Sequence, residues 1–234
     1  MRALLLALLL YADRYVSFNT LAEHLWFEPP LSAQANLRTH ATALRRVLAQ
    51  IAPGQQDRLH TRRGGVGGTG AYRLEARAEE IDSAAFTELA YRGQRELMTS
   101  QPAAAVDTLR QALRLWRGDV TEDVPQTLPL SSWAMSMRER RLTVIDDLAQ
   151  ARLAVGDHVG LAAMLRRHSS ANPMRERAAE NLMRALDATS DRPGAIAAFQ
   201  EYRVRLIAEL GIEPSPRLQK LHLSLLRGEP IGHL

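Results

Sequence analysis

The segment from Ser32 to Gln50, SAQANLRTHATALRRVLAQ, carries the pattern that decides the fold of the first third of the chain. Apolar residues recur in it at helical spacing and form a single stripe, Leu37, Ala41, Leu44 and Leu48. Ser32 is a residue type that commonly caps a helix N-terminus, so we predict a helix from there to about Gln50. Taken alone, the pattern is also typical of an ordinary amphipathic surface helix. The opposite face carries polar side chains able to contact bases or phosphates: Gln34, Arg38, Thr39, Thr42, Arg45 and Arg46.

Two shorter helices are predicted before this segment. Ala3–Leu10 is apolar on nearly all sides and is expected to be buried, and an extended piece at Tyr15–Ser17 follows it. A second helix is predicted at Thr20–Phe27, because Pro29 and Pro30 would end it. Two helices, a turn and a third helix with a polar outer face are typical of a helix-turn-helix DNA-binding fold. The candidates for the cap of the second helix are Thr20 paired with Glu23, Ser17 and Asn19.

A β-hairpin is predicted directly after the third helix. Arg58–Arg63 and Ala71–Leu74 have strand character, and the glycine-rich stretch Gly64–Gly70 joins them. A hairpin after a recognition helix is typical of the wing of a winged helix-turn-helix, which places cations against a DNA groove or the phosphate backbone. The side chains expected at the mouth of this wing are Thr61, Arg62 and Arg63.

The glycine-rich stretch also matches the nucleotide-binding pattern G-x-G-x-x-G at Gly65–Gly70. A dinucleotide site needs a helix after the motif, whereas Tyr72–Leu74 has strand character. The sequence lacks the catalytic motifs that accompany a kinase-type glycine loop, and it lacks the Gly-Lys-Ser/Thr of a P-loop. We therefore interpret the glycines as a wing tip and expect no bound cofactor.

The rest of the chain is predicted to be helical. Gly156-Asp157 and Ser190-Asp191 lie 34 residues apart, which is the period of tetratricopeptide repeats. The small and aromatic residues of Ala195–Phe199 fit the packing of that repeat. Stacked helical hairpins of this kind usually contact other proteins, although an irregular helical bundle is an alternative. The predicted helices are Asp82–Met98, Pro102–Arg117, Leu130–Val155, His158–Ser170, Pro173–Thr189, Pro193–Leu210 and Pro216–Leu226.

Charge is distributed unevenly between these two parts of the chain. Residues 1–78 contain 10 arginines against 5 acidic residues, a net charge of +5, whereas residues 79–234 contain 20 basic against 21 acidic residues. A basic module joined to a nearly neutral one is typical of a DNA-binding domain attached to a partner-facing domain. We therefore predict a mainly α-helical protein with a winged helix-turn-helix at 1–78 and an all-helical domain at 79–234.

Residue types disfavour several other classes of protein. The chain has no cysteine, which excludes disulfides, thiolate zinc sites and a cysteine nucleophile. Its 7 histidines show no metal-binding spacing and no catalytic motif is found, so we expect neither a metal site nor an enzyme. Acid pairs such as Asp146-Asp147 are expected to be solvated. The apolar run Ala3–Leu10 is too short to span a membrane and is not followed by a signal-peptide cleavage site, so we expect a cytoplasmic location and no membrane.

Motifs follow one another in a fixed order along both parts of the chain: Arg2–Leu10, Val16-Ser17, Leu21–Trp26, Leu37–His40, Leu44–Leu48, Gly70–Leu74, Ala112–Gly118 and Glu209–Pro216. Together they resemble the Streptomyces antibiotic regulatory protein (SARP) family, in which an OmpR-type winged helix-turn-helix precedes a tetratricopeptide-like bacterial transcriptional activation domain. The resemblance covers nearly the whole chain. It also implies a small β-sheet before the first helix, whereas this sequence begins inside that helix.

The resemblance implies a transcriptional activator of a secondary-metabolite (antibiotic) gene cluster. Family members bind direct repeats in double-stranded DNA near the −35 region of promoters and recruit RNA polymerase through its sigma factor and alpha subunit. Direct repeats imply two copies side by side, head to tail rather than around a two-fold axis. The resemblance places the DNA contacts on the outer face of the third helix and on the wing. A tetratricopeptide-type adaptor with a vestigial DNA-binding module is the alternative.

Overall fold

A computed structural model of the chain describes residues 1–64, 70–120 and 122–229. The chain divides into two compact units, each built from two separate stretches. The first unit contains Met1–Thr87 and Leu115–Arg140, and the second contains Glu88–Arg114 and Arg141–Leu234. Within the described residues, none of the helices combines the length and the apolar character that a membrane-spanning segment needs.

The first unit contains the three predicted helices and the predicted hairpin. A short 3-10 turn, Gln55–Arg58, separates the third helix from the hairpin, and another lies at Ala78–Glu80. The elements are α1 at Arg2–Leu10, β1 at Val16–Ser17, α2 at Phe18–Leu25, α3 at Ala33–Ile51, β2 at Leu59–Arg62 and β3 at Ala71–Leu74.

The three strands form one antiparallel sheet in the order β1-β3-β2. Leu59 pairs with Leu74 and Arg62 with Ala71, while Val16 pairs with Tyr72 from the other side. Side chains alternate between the two faces of a strand. One face of the sheet joins the core and is apolar apart from Thr61, which pairs with Tyr72, and the other face carries His60, Arg62 and Arg73.

The core of the first unit is formed by the faces that α1, α2 and α3 turn toward one another and toward the sheet. The stripe predicted on α3 is confirmed, since its first three leucine and alanine positions are fully buried and Leu48 packs against them. Leu4 and Leu8 of α1 are also fully buried, as expected for its apolar composition.

Helix α2 begins and ends earlier than predicted. The hydroxyl of Ser17 accepts a hydrogen bond from the backbone N–H of Thr20 at 3.1 Å, so Ser17 is the N-cap and the helix starts at Phe18. The backbone of Trp26 is already extended, with φ −133° and ψ 143°, so the helix ends at Leu25 before the prolines are reached.

Helices account for most of the described residues from Asp82 onward. The prediction at Asp82–Met98 has the observed bounds, whereas the helix predicted from His158 starts at Leu161 because Gly160 has a positive φ of 68°. The helices are α4 at Asp82–Met98, α5 at Pro102–Arg114, α6 at Leu128–Ala154, α7 at Leu161–Ala171, α8 at Glu176–Ala188, α9 at Arg192–Leu210 and α10 at Pro216–Arg227.

The turns that join α4 to α5, α6 to α7 and α8 to α9 have the same construction. In each, a residue just after the first helix lies in the left-handed region: Ser100 with φ 56°, Gly156 with φ 73° and Ser190 with φ 65°. The next residue donates its N–H to the carbonyl five residues back, at 2.8, 2.9 and 2.9 Å respectively, which is the Schellman closure of a helix. The last two turns lie 34 residues apart in the sequence, so the predicted period corresponds to a repeated helix-turn-helix geometry.

The prediction that Asp146 and Asp147 are solvated is wrong. Both are buried in the second unit, because α7 and α8 pack against this part of α6. Nε of Arg175 donates to Oδ2 of Asp146 at 2.6 Å, and Nε2 of His168 lies 3.1 Å from its other oxygen. Arg177 donates to Asp147 at 2.6 Å, and burial raises the pKa of that carboxyl. Buried carboxylates are tolerated because arginines pair with them.

Candidate nucleic-acid interface

The outer face of α3 is the part of the first unit that presents a row of polar side chains on a regular element. Because Leu37, Ala41 and Leu44 are buried, the helix is fixed with its opposite side toward solvent. Five of the six predicted contact residues on this helix are exposed, and the sixth, Arg45, is half-buried. The five are Gln34, Arg38, Thr39, Thr42 and Arg46.

The two threonines of this face use their hydroxyl hydrogens inside the helix. Thr39 donates to the carbonyl of Ala35 at 3.2 Å, and Thr42 donates to the carbonyl of Arg38 at 3.0 Å. What these side chains offer outward is a methyl group and oxygen lone pairs, which suit contact with a thymine methyl or a donor. The hydrogen-bond donors of the face are therefore Gln34, Arg38 and Arg46.

Arg45 connects α3 to the first strand of the hairpin. Its Nη2 donates to the carbonyl of Leu59 at 2.7 Å and to the hydroxyl of Thr61 at 2.8 Å. The structure thus brings together two residues that were predicted separately as DNA contacts. Arg45 sets the position of β2 relative to α3, a role that the sequence pattern did not indicate.

Two buried aromatic rings pack in the core beside the strand that Arg45 contacts. Tyr72 is buried, and its ring centroid lies 4.8 Å from that of Phe18. Burial raises the pKa of the Tyr72 hydroxyl, and the nearby positive charges of Arg45 and Arg38 act in the opposite direction. The phenol therefore remains neutral at physiological pH beneath the exposed face of α3.

The base of the predicted wing is held against the start of α2. The N–H of Phe18 donates to the carbonyl of Gly70 at 2.9 Å, and a Cβ at Gly70 would lie only 2.8 Å from the Phe18 ring. Arg62 and Arg63, predicted at the mouth of the wing, are both exposed. Residues 65–69, which include most of the predicted wing tip and of the G-x-G-x-x-G match, lie outside the described residues.

Tyr15 and Arg73, which contact one another beside the hairpin, were not among the predicted site residues. The guanidinium carbons of Arg62 and Arg73 lie 4.5 and 5.3 Å from the centroid of the Tyr15 ring. Strand alternation could have placed Arg73 on the same face as Arg62. Tyr15 could not be placed there without knowing that β1 pairs with β3.

Metal-ligating side chains do not assemble near this face in the part of the chain that the structure describes. Among the described residues, no group of three or more His, Asp or Glu side chains is arranged to hold a metal ion. His24, for example, is buried with Nδ1 2.8 Å from the carbonyl of Thr20. The site therefore consists of arginine, glutamine and threonine side chains on a helix and a hairpin.

Family models match both parts of the chain. Residues 1–67 match the model described as transcriptional regulatory protein, C terminal, and residues 81–226 match the bacterial transcriptional activator domain. Regulatory protein DnrI of Streptomyces peucetius is 34% identical over 95% of this chain and 82% of its own length. The chain belongs to the SARP family. The resemblance inferred from ordered motifs is thereby confirmed.

Other SARP-type relatives are longer than this chain. Transcriptional regulator RedD of Streptomyces coelicolor is 32% identical over 98% of the chain, which spans 65% of RedD. Regulatory protein AfsR of the same species is 35% identical, but the chain spans only 22% of it. These relatives are regulatory proteins, and the chain therefore belongs to a family of transcriptional regulators.

A solved structure confirms the predicted mainly helical fold. Mycobacterium tuberculosis EmbR, solved in complex with a low-affinity phosphopeptide, superposes with a TM-score of 0.89 at 26% sequence identity. The match covers 99% of this chain and 60% of the EmbR chain. A winged helix-turn-helix followed by a helical activator domain is therefore the architecture of this SARP-family member.

Proposed function

We propose that this chain is a sequence-specific DNA-binding transcriptional activator. Residues 1–78 bind double-stranded DNA, and residues 79–234 serve transcription activation. The observation that carries this proposal is the exposed polar face of α3, which Arg45 holds to the hairpin through two hydrogen bonds of 2.7 and 2.8 Å. A recognition helix and a wing fixed to one another can contact adjacent parts of a duplex in a single orientation.

The residues of this face have distinct roles in the proposal. Arg38 contacts a guanine edge in the major groove and Gln34 an adenine edge, because these side chains form bidentate pairs with those bases. Thr39 and Thr42 make van der Waals contacts with base edges through their methyl groups. Arg46, Arg62 and Arg63 contact phosphates, where positive charge fixes the register without reading the sequence.

The net charge of residues 1–78 supports this assignment of base contacts and phosphate contacts. Residues 1–78 carry a net charge of +5, so they are attracted to the phosphate backbone of any duplex. Specificity then has to come from the base contacts of α3. A cytoplasmic location, where chromosomal DNA is accessible, is part of the proposal.

We extend the proposal to the target and to the transcription machinery through SARP-family membership. Two copies bind direct repeats head to tail near the −35 region of promoters of a secondary-metabolite (antibiotic) gene cluster. The activator recruits RNA polymerase through its sigma factor and alpha subunit. An apolar pair in the turn between α2 and α3 supports a protein contact beside the DNA face, since Phe27 is 75% exposed and Leu31 is fully exposed.

Footprinting on the intergenic regions around the protein's own gene tests this function. We expect protection of two direct repeats upstream of a promoter, with the repeats on the same face of the duplex. Retention of RNA polymerase by the immobilised protein without any protected DNA would instead favour a tetratricopeptide-type adaptor with a vestigial DNA-binding module. Equal binding of promoter and random duplexes at moderate salt would exclude a sequence-specific activator.

A further inference from the structure

The polar face of the three-stranded sheet carries two arginines beside one tyrosine. Arg73 pairs with His60 in the register of β2 and β3, and Arg62 lies two residues further along β2, so both project from the same face. Their guanidinium groups lie over the ring of Tyr15, which is 40% exposed and precedes β1. We call Arg62, Arg73 and Tyr15 the outer-face cluster.

The outer-face cluster has an excess of positive charge. Within the described part of the chain, no carboxylate forms an ion pair with Arg62 or Arg73, and the buried Nε of Arg73 has no hydrogen-bond partner. The neighbouring acids are already bonded elsewhere, because Glu75 lies 3.1 Å from Nε2 of His60 and Glu80 is held by Arg58. Glu75 is hydrogen-bonded to His60 and interacts with Arg73 through its charge, but this one carboxylate does not balance two arginines, so the cluster is expected to attract a further anion.

We propose that the outer-face cluster is a binding site for a DNA backbone phosphate beside the contacted groove. The inference rests on the proposed DNA-binding function and adds Arg73 and Tyr15 to it. Arg62 and Arg73 donate hydrogen bonds to the phosphate oxygens, whose charge matches the guanidinium fork. Tyr15 is a positioning residue, since a ring under a guanidinium holds it in place by cation–π attraction.

The position of the cluster favours phosphate over a base edge. Arg62 ends β2 next to the wing, and its pairing partner Ala71 also pairs with Ser17, the cap of α2. The cluster thus lies where the hairpin meets the start of α2. A guanidinium held over Tyr15 on the sheet surface is not extended toward a base in a groove, and phosphates line both sides of a groove.

Equilibrium binding of Arg73→Gln as a function of salt tests the proposal. Each phosphate contact contributes about 0.9 to the slope of log affinity against log salt. When one contact is lost, the ratio of wild-type to variant affinity therefore falls about 3.5-fold between about 50 and 200 mM salt. We expect about tenfold weaker binding at the lower salt and about threefold at the higher, for the footprinted site and a random duplex alike. Arg166→Gln, an exposed arginine of α7 in the second unit, removes the same charge and serves as the control.

Variants of Tyr15 separate positioning from charge. Tyr15→Leu keeps both guanidinium groups, so we expect about threefold weaker binding with an unchanged salt slope, the size of an exposed cation–π contact. Tyr15→Phe keeps the ring and should bind like the wild type. Thermal unfolding of each variant checks that the sheet is intact.

Methylphosphonate substitution at single positions of the duplex locates the contact. One neutralised position should weaken binding of the wild type more than binding of Arg73→Gln, because only Arg62 still contacts that phosphate in the variant. An unchanged salt slope for Arg73→Gln would overturn the proposal, as would a loss confined to RNA polymerase retention, which would assign the cluster to an acidic protein. Failure of the proposed function itself would appear separately, because the wild type would then not prefer its footprinted site.

Discussion

At Arg45, the hydrogen bonds of one side chain decide how helix α3 and the hairpin are oriented relative to one another. Its Nη2 bonds both the Leu59 carbonyl and the Thr61 hydroxyl, and the side chain is only half-buried. Arg45→Met and Thr61→Ala should each lower the free energy of unfolding. We expect the double variant to lose less than the sum of the two single losses. A double-mutant cycle by urea unfolding should give a coupling energy of about 0.5–1.5 kcal/mol.

Strict additivity of these two variants would show that the Arg45–Thr61 bond contributes nothing in solution. Thr42→Ala is a suitable control for Thr61→Ala, since the Thr42 hydroxyl donates only within its own helix. Its effect should be additive with that of Arg45→Met.

Arg38 is the exposed arginine of α3 that we assign to a base. Arg38→Ala should weaken binding to the footprinted site by about 1–3 kcal/mol and relax the preference at one base pair, because a bidentate guanine contact is lost. Competition binding against single-base variants of the site measures both effects. Arg46→Ala is the matched control, expected to weaken all duplexes uniformly; the assignment fails if Arg38→Ala behaves in that way too.

Glu80 makes the stability of the first unit depend on pH. Hydrogen bonds from Arg58 and from the backbone N–H of Arg77 lower the pKa of Glu80 from its ordinary value of 4.5 to about 2. Because the folded pKa lies below the unfolded one, this stabilisation is present above pH 4.5 and is lost as the pH falls toward 2.

Glu80→Gln should therefore be less stable than the wild type at pH 6, and the difference should narrow as the pH falls below 4.5. Urea unfolding between pH 6 and about pH 3 measures it. A stability difference that does not change over this range would contradict the ion pair.

On the scale of single helices, Gly93 fixes how closely α4 approaches α5 within the second unit. A Cβ at this position would lie 2.5 Å from Cδ2 of Leu109, which is fully buried. Gly93→Ala should lower the free energy of unfolding by about 1–3 kcal/mol, because the cost of overpacking exceeds the gain in helix propensity. Gly118→Ala is the control, since its nearest neighbour is 4.0 Å away, and a stabilising Gly93→Ala would show that the helices are further apart in solution.

Element boundaries were predictable where one local signal dominates. Helix α4 has its predicted bounds, and the stripe on α3 defines its buried and exposed faces. The start of helix α2 was misplaced by two residues because Ser17 and Thr20 are both good caps, and its end by two residues because the backbone is already extended at Trp26. The turn at Gly160 depends on a positive φ that the sequence permits but does not require.

The candidate site was predictable as a surface but not as a set of bonds. Helical periodicity places Arg38 and Arg46 outward whatever the partner is. The bond from Arg45 to Thr61 and the position of Tyr15 depend on how β2 and β1 pair with β3, which involves residues far apart in the chain. Likewise, Asp146 is buried only because helices later in the sequence pack over it.

At the scale of the whole molecule, the basic charge and the helical repeat occupy different stretches of sequence. The compact units are nevertheless not continuous in sequence, since Leu115–Arg140 belongs to the first unit together with Met1–Thr87. There, Thr127 is buried and its hydroxyl donates to the carbonyl of His24 at 2.8 Å. The unit that contains α3 and the hairpin thus depends for its packing on a segment that lies beyond residue 78.

The ratio of affinities for the footprinted promoter site and a random duplex, measured across a salt series, tests the proposed activator most directly. We predict that both affinities fall with salt while the ratio stays at about 10³ or above, because base contacts on α3 are less dependent on salt than phosphate contacts. A ratio near one at moderate salt would contradict sequence-specific binding and leave only the electrostatic attraction of the basic first part of the chain.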